Sequence, residues 1–405
     1  MGGGRAPASH VACGAVITVD TTLDGDLVDC PNNGIVIGAN GVTLDLNGHT
    51  IDGDGELGDD CAPTFPGELC EVGVASEKHN RLTIKGGRIK EFREGVLTDK
   101  AKHVHLRRLT VSRNLDAGVL ILRSSDARLR RSTVARNAFL GIAYIRVTRS
   151  DVRRTSALAN GVDNNLPGVT LFGVGLFGSH HVRVQQNTIS RNGDIGLFAA
   201  GANANLISEN RLADNPEAGM VVGSESDRNA LRHNRVLRVG DGIIIRGSGN
   251  AIARNHLSRI SPSPECDIGC ATGIAVEVGR RNRVAHNRVS HAGGAGIRIG
   301  LNRDIAPEAP KVRGTVVRGN RLRHGNRDGV MIETTARQTV LKRNRSRSSR
   351  DDGFDVESET TTLTGNVARR NDDLGIQAVH GVIDAGGNQA SGNGDGRQCV
   401  HVKCH

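Results

Sequence analysis

Residues 196–245 carry one phrase three times: Gly196-Leu-Phe-Ala, Gly219-Met-Val-Val and Gly242-Ile-Ile-Ile, with each glycine 23 residues after the last. Towards the N-terminus the phrase recurs at Gly173-Val-Gly-Leu, Gly141-Ile-Ala-Tyr, Gly118-Val-Leu-Ile and Gly95-Val-Leu. Towards the C-terminus it recurs at Gly273-Ile-Ala-Val, Gly296-Ile-Arg-Ile, Gly329-Val-Met-Ile, Gly353-Phe-Asp-Val and Gly375-Ile-Gln-Ala. Gaps of 31 to 33 residues are that period plus an inserted loop, and Gly34 and Gly73 extend the register. A second short strand follows in each repeat, such as Leu82-Thr-Ile or Val182-Arg-Val, and then an Asn-led strand. Three strands of about four residues and three corners fill the period, which is too short for a βαβ unit of about 30 residues. Nor does any segment show helical periodicity.

One such coil cannot bury its own apolar face, but stacked coils build a continuous core. The expected fold is therefore all-β: a single solenoid of parallel strands, with about 13–14 coils of roughly 23 residues. Residues 1–33 are read as an N-terminal cap, 34–390 as the solenoid and 391–405 as a C-terminal cap. Nine residues before a repeat glycine runs a column of Asn187, Asn210, Asn287, Asn320, Asn344 and Asn366, with Ser132 and His233 in register. A second column, four residues before the glycine, holds Asn114, Asn137, Asn192, Asn215 and Asn371. Both are expected to be structural ladders that satisfy backbone groups coil upon coil.

Composition agrees with short strands and tight corners: 53 glycines, no tryptophan, one tyrosine and seven phenylalanines. No stretch approaches the roughly 18 apolar residues of a membrane span. The formal charge of +10 is mostly arginine and suits an anionic partner, although arginines spread over every coil also solvate an outer surface. Few aromatics are present for base stacking, which argues against nucleic acid. The eight cysteines fall into local pairs, Cys13/Cys30, Cys61/Cys70, Cys266/Cys270 and Cys399/Cys404. Disulfides account for them better than a metal site at Cys399-Val-His-Val-Lys-Cys404-His405, and they imply an oxidising compartment, secreted or at the cell surface. Met1-Gly-Gly-Gly lacks the apolar core of a signal peptide, so a mature secreted form with an added start is expected.

The repeats resemble those of right-handed parallel β-helix proteins, the superfamily of pectate lyases, polygalacturonases, chondroitinase B-like lyases, mannuronan epimerases and NosD-like periplasmic proteins. The opening, from Cys13-Gly-Ala-Val-Ile-Thr through Asp26-Leu-Val-Asp-Cys30 to Gly41-Val-Thr-Leu-Asp-Leu-Asn-Gly-His-Thr50, is similar to the start of many secreted bacterial members. The resemblance covers nearly the whole chain and implies a right-handed helix. It implies little about chemistry, because the fold hosts unrelated activities.

Counted from the repeat glycine, positions one and three point inward, and two and four point outward. Position two is apolar from Leu97 through Leu120, Ala143, Phe198 and Val221 to Ile244 and Ala275, then turns polar at Arg298, Asp355 and Gln377. Position four holds Arg246, Glu277, Glu333 and Glu357. Loops at 261–270 and 304–313 bracket this charged face, as walls of a groove would. Glu333, Asp355 and Glu357 are the candidate catalytic carboxylates and also the candidate ligands for a cation such as calcium. Arg246, Glu277, Arg298, Lys342 and His380 are candidate substrate-binding residues.

A local resemblance adds three more acids. Asp351-Asp352-Gly353-Phe354-Asp355, followed by Asn371-Asp372-Asp373, looks like the Asn-Thr-Asp and Asp-Asp signatures of polygalacturonases. It implies Asp352, Asp372 and Asp373 as acid and base. No Gly-His-Gly follows, the one Arg-Xaa-Lys, Arg88-Ile-Lys90, stands at the other end, and the Asp-Pro-His of mannuronan epimerases is absent.

Two functions are expected from these readings. One is a secreted protein acting on an acidic, uronate-containing polysaccharide, as lyase or hydrolase, at the C-terminal coils. The alternative is a non-catalytic surface solenoid that binds a protein or polysaccharide through the apolar column from Leu97 to Ile244.

Overall fold

The computed structural model describes residues 8–56, 70–162, 169–261, 271–301 and 311–405. Contacts divide the chain into two units, Met1–Leu197 and Phe198–His405. The described residues contain no helix, so none is long and apolar enough to cross a membrane. In both units short strands pair in parallel with the equivalent strand of the next coil, giving a parallel β-solenoid of about fifteen turns of about 23 residues. This exceeds the expected 13–14 because both chain ends add strands. Ala15–Ile17 pairs with Ile35–Ile37, and Cys399–Val400 pairs with Ile376–Ala378.

The repeat glycines open one sheet. In the first unit its strands include Val72–Glu77, Glu94–Asp99, Ala117–Leu122, Leu140–Ile145 and Phe172–Phe177. In the second they run from Ala218–Val222 and Asp241–Ile245 through Ile274–Val276, Ile297–Ile299 and Val330–Ile332 to Phe354–Val356 and Ile376–Ala378. Glycine is required where the strand leaves its corner: a Cβ on Gly353 would lie 2.5 Å from the Gly375 carbonyl oxygen and 2.7 Å from Asn371 Nδ2. Side chains beyond it alternate, and Ile297, Ile299, Val330, Ile332, Phe354 and Val356 fill the lumen with no exposed surface.

Asparagines close the corners. In the second unit Asn255 Oδ1 accepts the Asn234 N–H at 2.9 Å and its Nδ2 at 3.0 Å, and Asn287, Asn320, Asn344 and Asn366 repeat the arrangement upward. Each amide also donates back, as Asn287 Nδ2 does to the Ile252 carbonyl at 2.9 Å. The expected register needs one adjustment: Asn234, not His233, occupies the ladder. His233 stands before it with φ 55°, the left-handed conformation that Arg254, His286 and Arg343 also adopt beside their asparagines. Such a φ is costly for a bulky residue. The ladder on one side and the strand on the other over-determine the corner.

Disulfides join Cys13 to Cys30 and Cys399 to Cys404. Cys70 is also disulfide-bonded, whereas Cys61, Cys266 and Cys270 lie outside the described residues.

The outward side of the glycine-led sheet differs between the units. In the first, the residue before the glycine and positions two and four supply Val72, Ala75, Leu97, Ala117, Leu120, Leu122 and Ala143, a buried cluster with Val36, Leu140 and Ile145 packed against it. Leu97 and Leu120 have no exposed surface, and in the second unit Val221, Ile244 and Ala275 are buried as well. The apolar column read as an exposed stripe is therefore a second layer of core. In the second unit the same three positions turn to charge beyond Ala275.

Candidate functional site

Strand register builds the charged face. Ala275 pairs with Arg298, Arg298 with Met331, Met331 with Asp355 and Asp355 with Gln377, so position two forms one column. Position four forms another: Glu277, Glu333 and Glu357 donate their N–H groups to Ile245, Ile299 and Ile332 of the coil before. Arg246, Glu277, Arg298, Glu333, Asp355 and Glu357 thus share one face. Glu277 bridges two arginines, accepting from Arg246 Nε at 2.8 Å and from Arg298 Nη2 at 3.0 Å.

Beyond Arg298 the positive charge runs out. Glu333 is 3% exposed. Burial, reinforced by the Glu357 carboxylate, pushes its pKa up to about 7 against the opposing pull of Arg298. Asp355 rises to about 8, first through burial and then through Asp328, Glu357, Asp352 and Asp351. Carboxyls in such a field keep protons near neutrality.

A third acidic column was only partly read from the sequence: Asp352 was a candidate acid, whereas Asp241 and Asp328 were missed. Asp241, Asp328 and Asp352 each precede a repeat glycine. Asp352 donates its N–H to Asp328 Oδ1 at 3.1 Å and accepts the Leu374 N–H at 2.8 Å. Burial first, then neighbouring aspartates, raises Asp328 to about 7, and burial raises Asp352 to about 6 despite the Leu374 N–H. Asp328, Asp351 and Asp352 can bring carboxylate oxygens within 4.8 Å of one another, a spacing a divalent cation could bridge.

The remaining candidates spread out. Asp372 and Asp373 are exposed, and Asp373 follows Asp351 in the next coil through its N–H. His380 lies beyond the last charged strand with its ring edge-on to His401 at 5.6 Å. Lys342 belongs to a different strand of the coil, in register with Arg318 and Thr364. Of the loops expected at 261–270 and 304–313, residues 262–270 and 304–310 lie outside the described residues, and Val312–Arg313 is a short strand paired with Gly279–Arg280.

The sequence profile of the right handed beta helix region matches residues 151–306 and 241–402, together more than half of the chain. The chain belongs to the right-handed β-helix family. No curated protein matches it. Among solved structures, this β-helix is similar to a mutant tailspike protein of E. coli bacteriophage HK620 in complex with pentasaccharide. That match has 11% identity and a TM-score of 0.53, covering 96% of this chain and 73% of the tailspike. It is also similar to the A-module of an Azotobacter vinelandii mannuronan C-5 epimerase, at 12% identity and TM-score 0.45, with 88% of each chain covered. At these identities the likeness is one of fold.

Proposed function

We propose that this β-helix is an extracellular carbohydrate-active protein that cleaves an acidic polysaccharide at the outward face of its C-terminal coils. The observation that carries this is Glu333: a buried carboxyl holding its proton to about 7, with Glu357 against it and Arg298 beside it. A carboxyl of that pKa is matched to general acid–base work at neutral pH, where proton transfer contributes on the order of 10²–10⁴ in rate. In this reading Glu333 and Glu357 exchange the proton, Asp355 sets the field, and Arg298 and Arg246 pair with the uronate carboxylate.

The same face constrains the conditions. An anionic polymer is repelled by ionised Asp328, Asp351, Asp352, Asp355 and Glu357, so binding needs their protons or a cation. Calcium held by Glu333, Asp355 and Glu357, or by the Asp328–Asp352 group, would supply that charge. The disulfides support an oxidising compartment. At the level of fold, the tailspike with its pentasaccharide supports a sugar-directed role.

The test is incubation with pectate, alginate, hyaluronan and chondroitin, with calcium or with chelator. An unsaturated uronate product seen by ultraviolet absorbance indicates elimination, and new reducing ends without it indicate hydrolysis. Neither product from any polymer would leave the binding solenoid as the better account.

A further inference from the structure

A different face of the second unit carries unanswered positive charge. In the Asn-led strands one outward column is basic over six consecutive coils: Arg211, Arg235, His256, Arg288, Arg321 and Arg345 stand in parallel register. Two residues along, Arg323, Arg347 and Arg369 form a shorter column beside it. All nine side chains are exposed. Between them the buried Leu322 and Ser346 point inward, and at the C-terminal end of the columns Arg321 and Arg345 on one side and Arg323, Arg347 and Arg369 on the other wall a groove of about 360 Å³.

Some arginines elsewhere on this chain meet acids. Arg130 grips Asp151 through two 2.8 Å contacts, Arg238 holds Asp214 at 2.6 Å, and Glu277 takes both Arg246 and Arg298. Among the described residues, no carboxylate lies within ion-pair distance of any of these nine. Like charges directly opposite one another on paired strands are destabilising. The field is felt within the column, where burial first and then Arg235 and Arg288 push His256 below the usual histidine range.

We propose that this arginine ladder is a non-catalytic binding track for an extended anionic polysaccharide, laid across the coils with its carboxylate or sulfate groups paired to successive guanidinium groups. The repeat of the track is the strand spacing, about 4.8 Å per coil, so five guanidinium groups, interrupted once by His256, line six coils. Guanidinium forks pair bidentately with planar carboxylates and with sulfates, and lose little freedom doing so. A nucleic acid fits less well, because no aromatic side chain lines the groove to stack on a base. The proposal rests on the preceding reading only for the class of polymer, since the track lies on another strand of the coil from Glu333.

The experiment uses the full chain and polygalacturonate as probe, with binding measured across a salt series. Replacing Arg321, Arg323, Arg345 and Arg347 together by Gln is expected to weaken binding by about tenfold or more and to flatten its salt dependence. The Glu333→Gln/Glu357→Gln variant, which lifts repulsion on the other face, should lose cleavage while binding at least as tightly as the parent and with the parent's salt dependence, so loss of the track and loss of cleavage are separable. Polymer should also raise the His256 pKa in a proton NMR titration, a readout local to the ladder. Parent-like binding by the four-Gln variant, with His256 unmoved, would overturn the proposal. So would tighter binding of DNA than of polygalacturonate at equal salt.

Discussion

Arg298 reaches back one coil to Glu277, Nη2 to Oε1 at 3.0 Å, and the same guanidinium is the positive group that restrains the pKa of Glu333 in the coil ahead. One side chain therefore joins the neutralised part of the face to the proton-holding part. Both partners are largely buried, with 15% and 12% of their side chains exposed. Glu277→Gln should cost about 1–3 kcal/mol, because it leaves Arg298 without its charged acceptor. Urea unfolding of Glu277→Gln, Arg298→Gln and the double variant measures the coupling, and additive effects would refute it.

Stability should fall as pH rises through neutrality. Glu333 and Asp355 are protonated in the folded chain to about 7 and about 8, whereas the unfolded chain releases those protons near 4.5 and 3.8. Between those limits the folded state binds more protons, so stability is complete below the unfolded values and is lost progressively up to the folded ones. Thermal melts should give a higher Tm at pH 5 than at pH 8. Asp355→Asn should flatten that difference, and an unchanged slope would contradict the burial of this carboxyl.

Asn287 accepts from Asn255 through two donors and itself donates to the Ile252 carbonyl and to Asn320. Asn287→Ala strands buried backbone groups of the neighbouring coil and should destabilise by about 3 kcal/mol. His286→Ala, next along the chain but exposed, should stay within about 1 kcal/mol of the parent. Chemical denaturation distinguishes a ladder position from its neighbour.

Leu120 points away from the lumen yet has no exposed surface. Leu120→Ala should cost about 2–4 kcal/mol, as in any core. A cost below about 0.5 kcal/mol would restore the exposed apolar stripe, and with it the protein-docking alternative.

The solenoid was legible because its determinants are local and periodic. Glycine at 23-residue intervals, alternating apolar residues and a recurring asparagine each prescribe one coil, and the coil repeats. Register followed by counting, which is why Arg298, Glu277, Glu333, Asp355 and Glu357 fall on one face as expected. Counting failed where the period slips: the gap from Asn210 to Asn234 is 24 residues, which moves the ladder off His233.

Burial of the outward side could not be counted at all. Alternation says that Leu120 and Asp355 face away from the lumen, but not whether water meets them there. Position along the repeat is a property of the chain, so the sequence by itself determined the fold, the columns and the disulfide pairs at Cys13–Cys30 and Cys399–Cys404. Whether a carboxyl keeps its proton, or an arginine finds an acid, depends on the desolvation and charge brought by other coils. Those are sums over neighbours in space, and only the folded chain set them, closing the apolar layer over Leu120, raising Glu333 and leaving Arg321 and Arg345 unpaired.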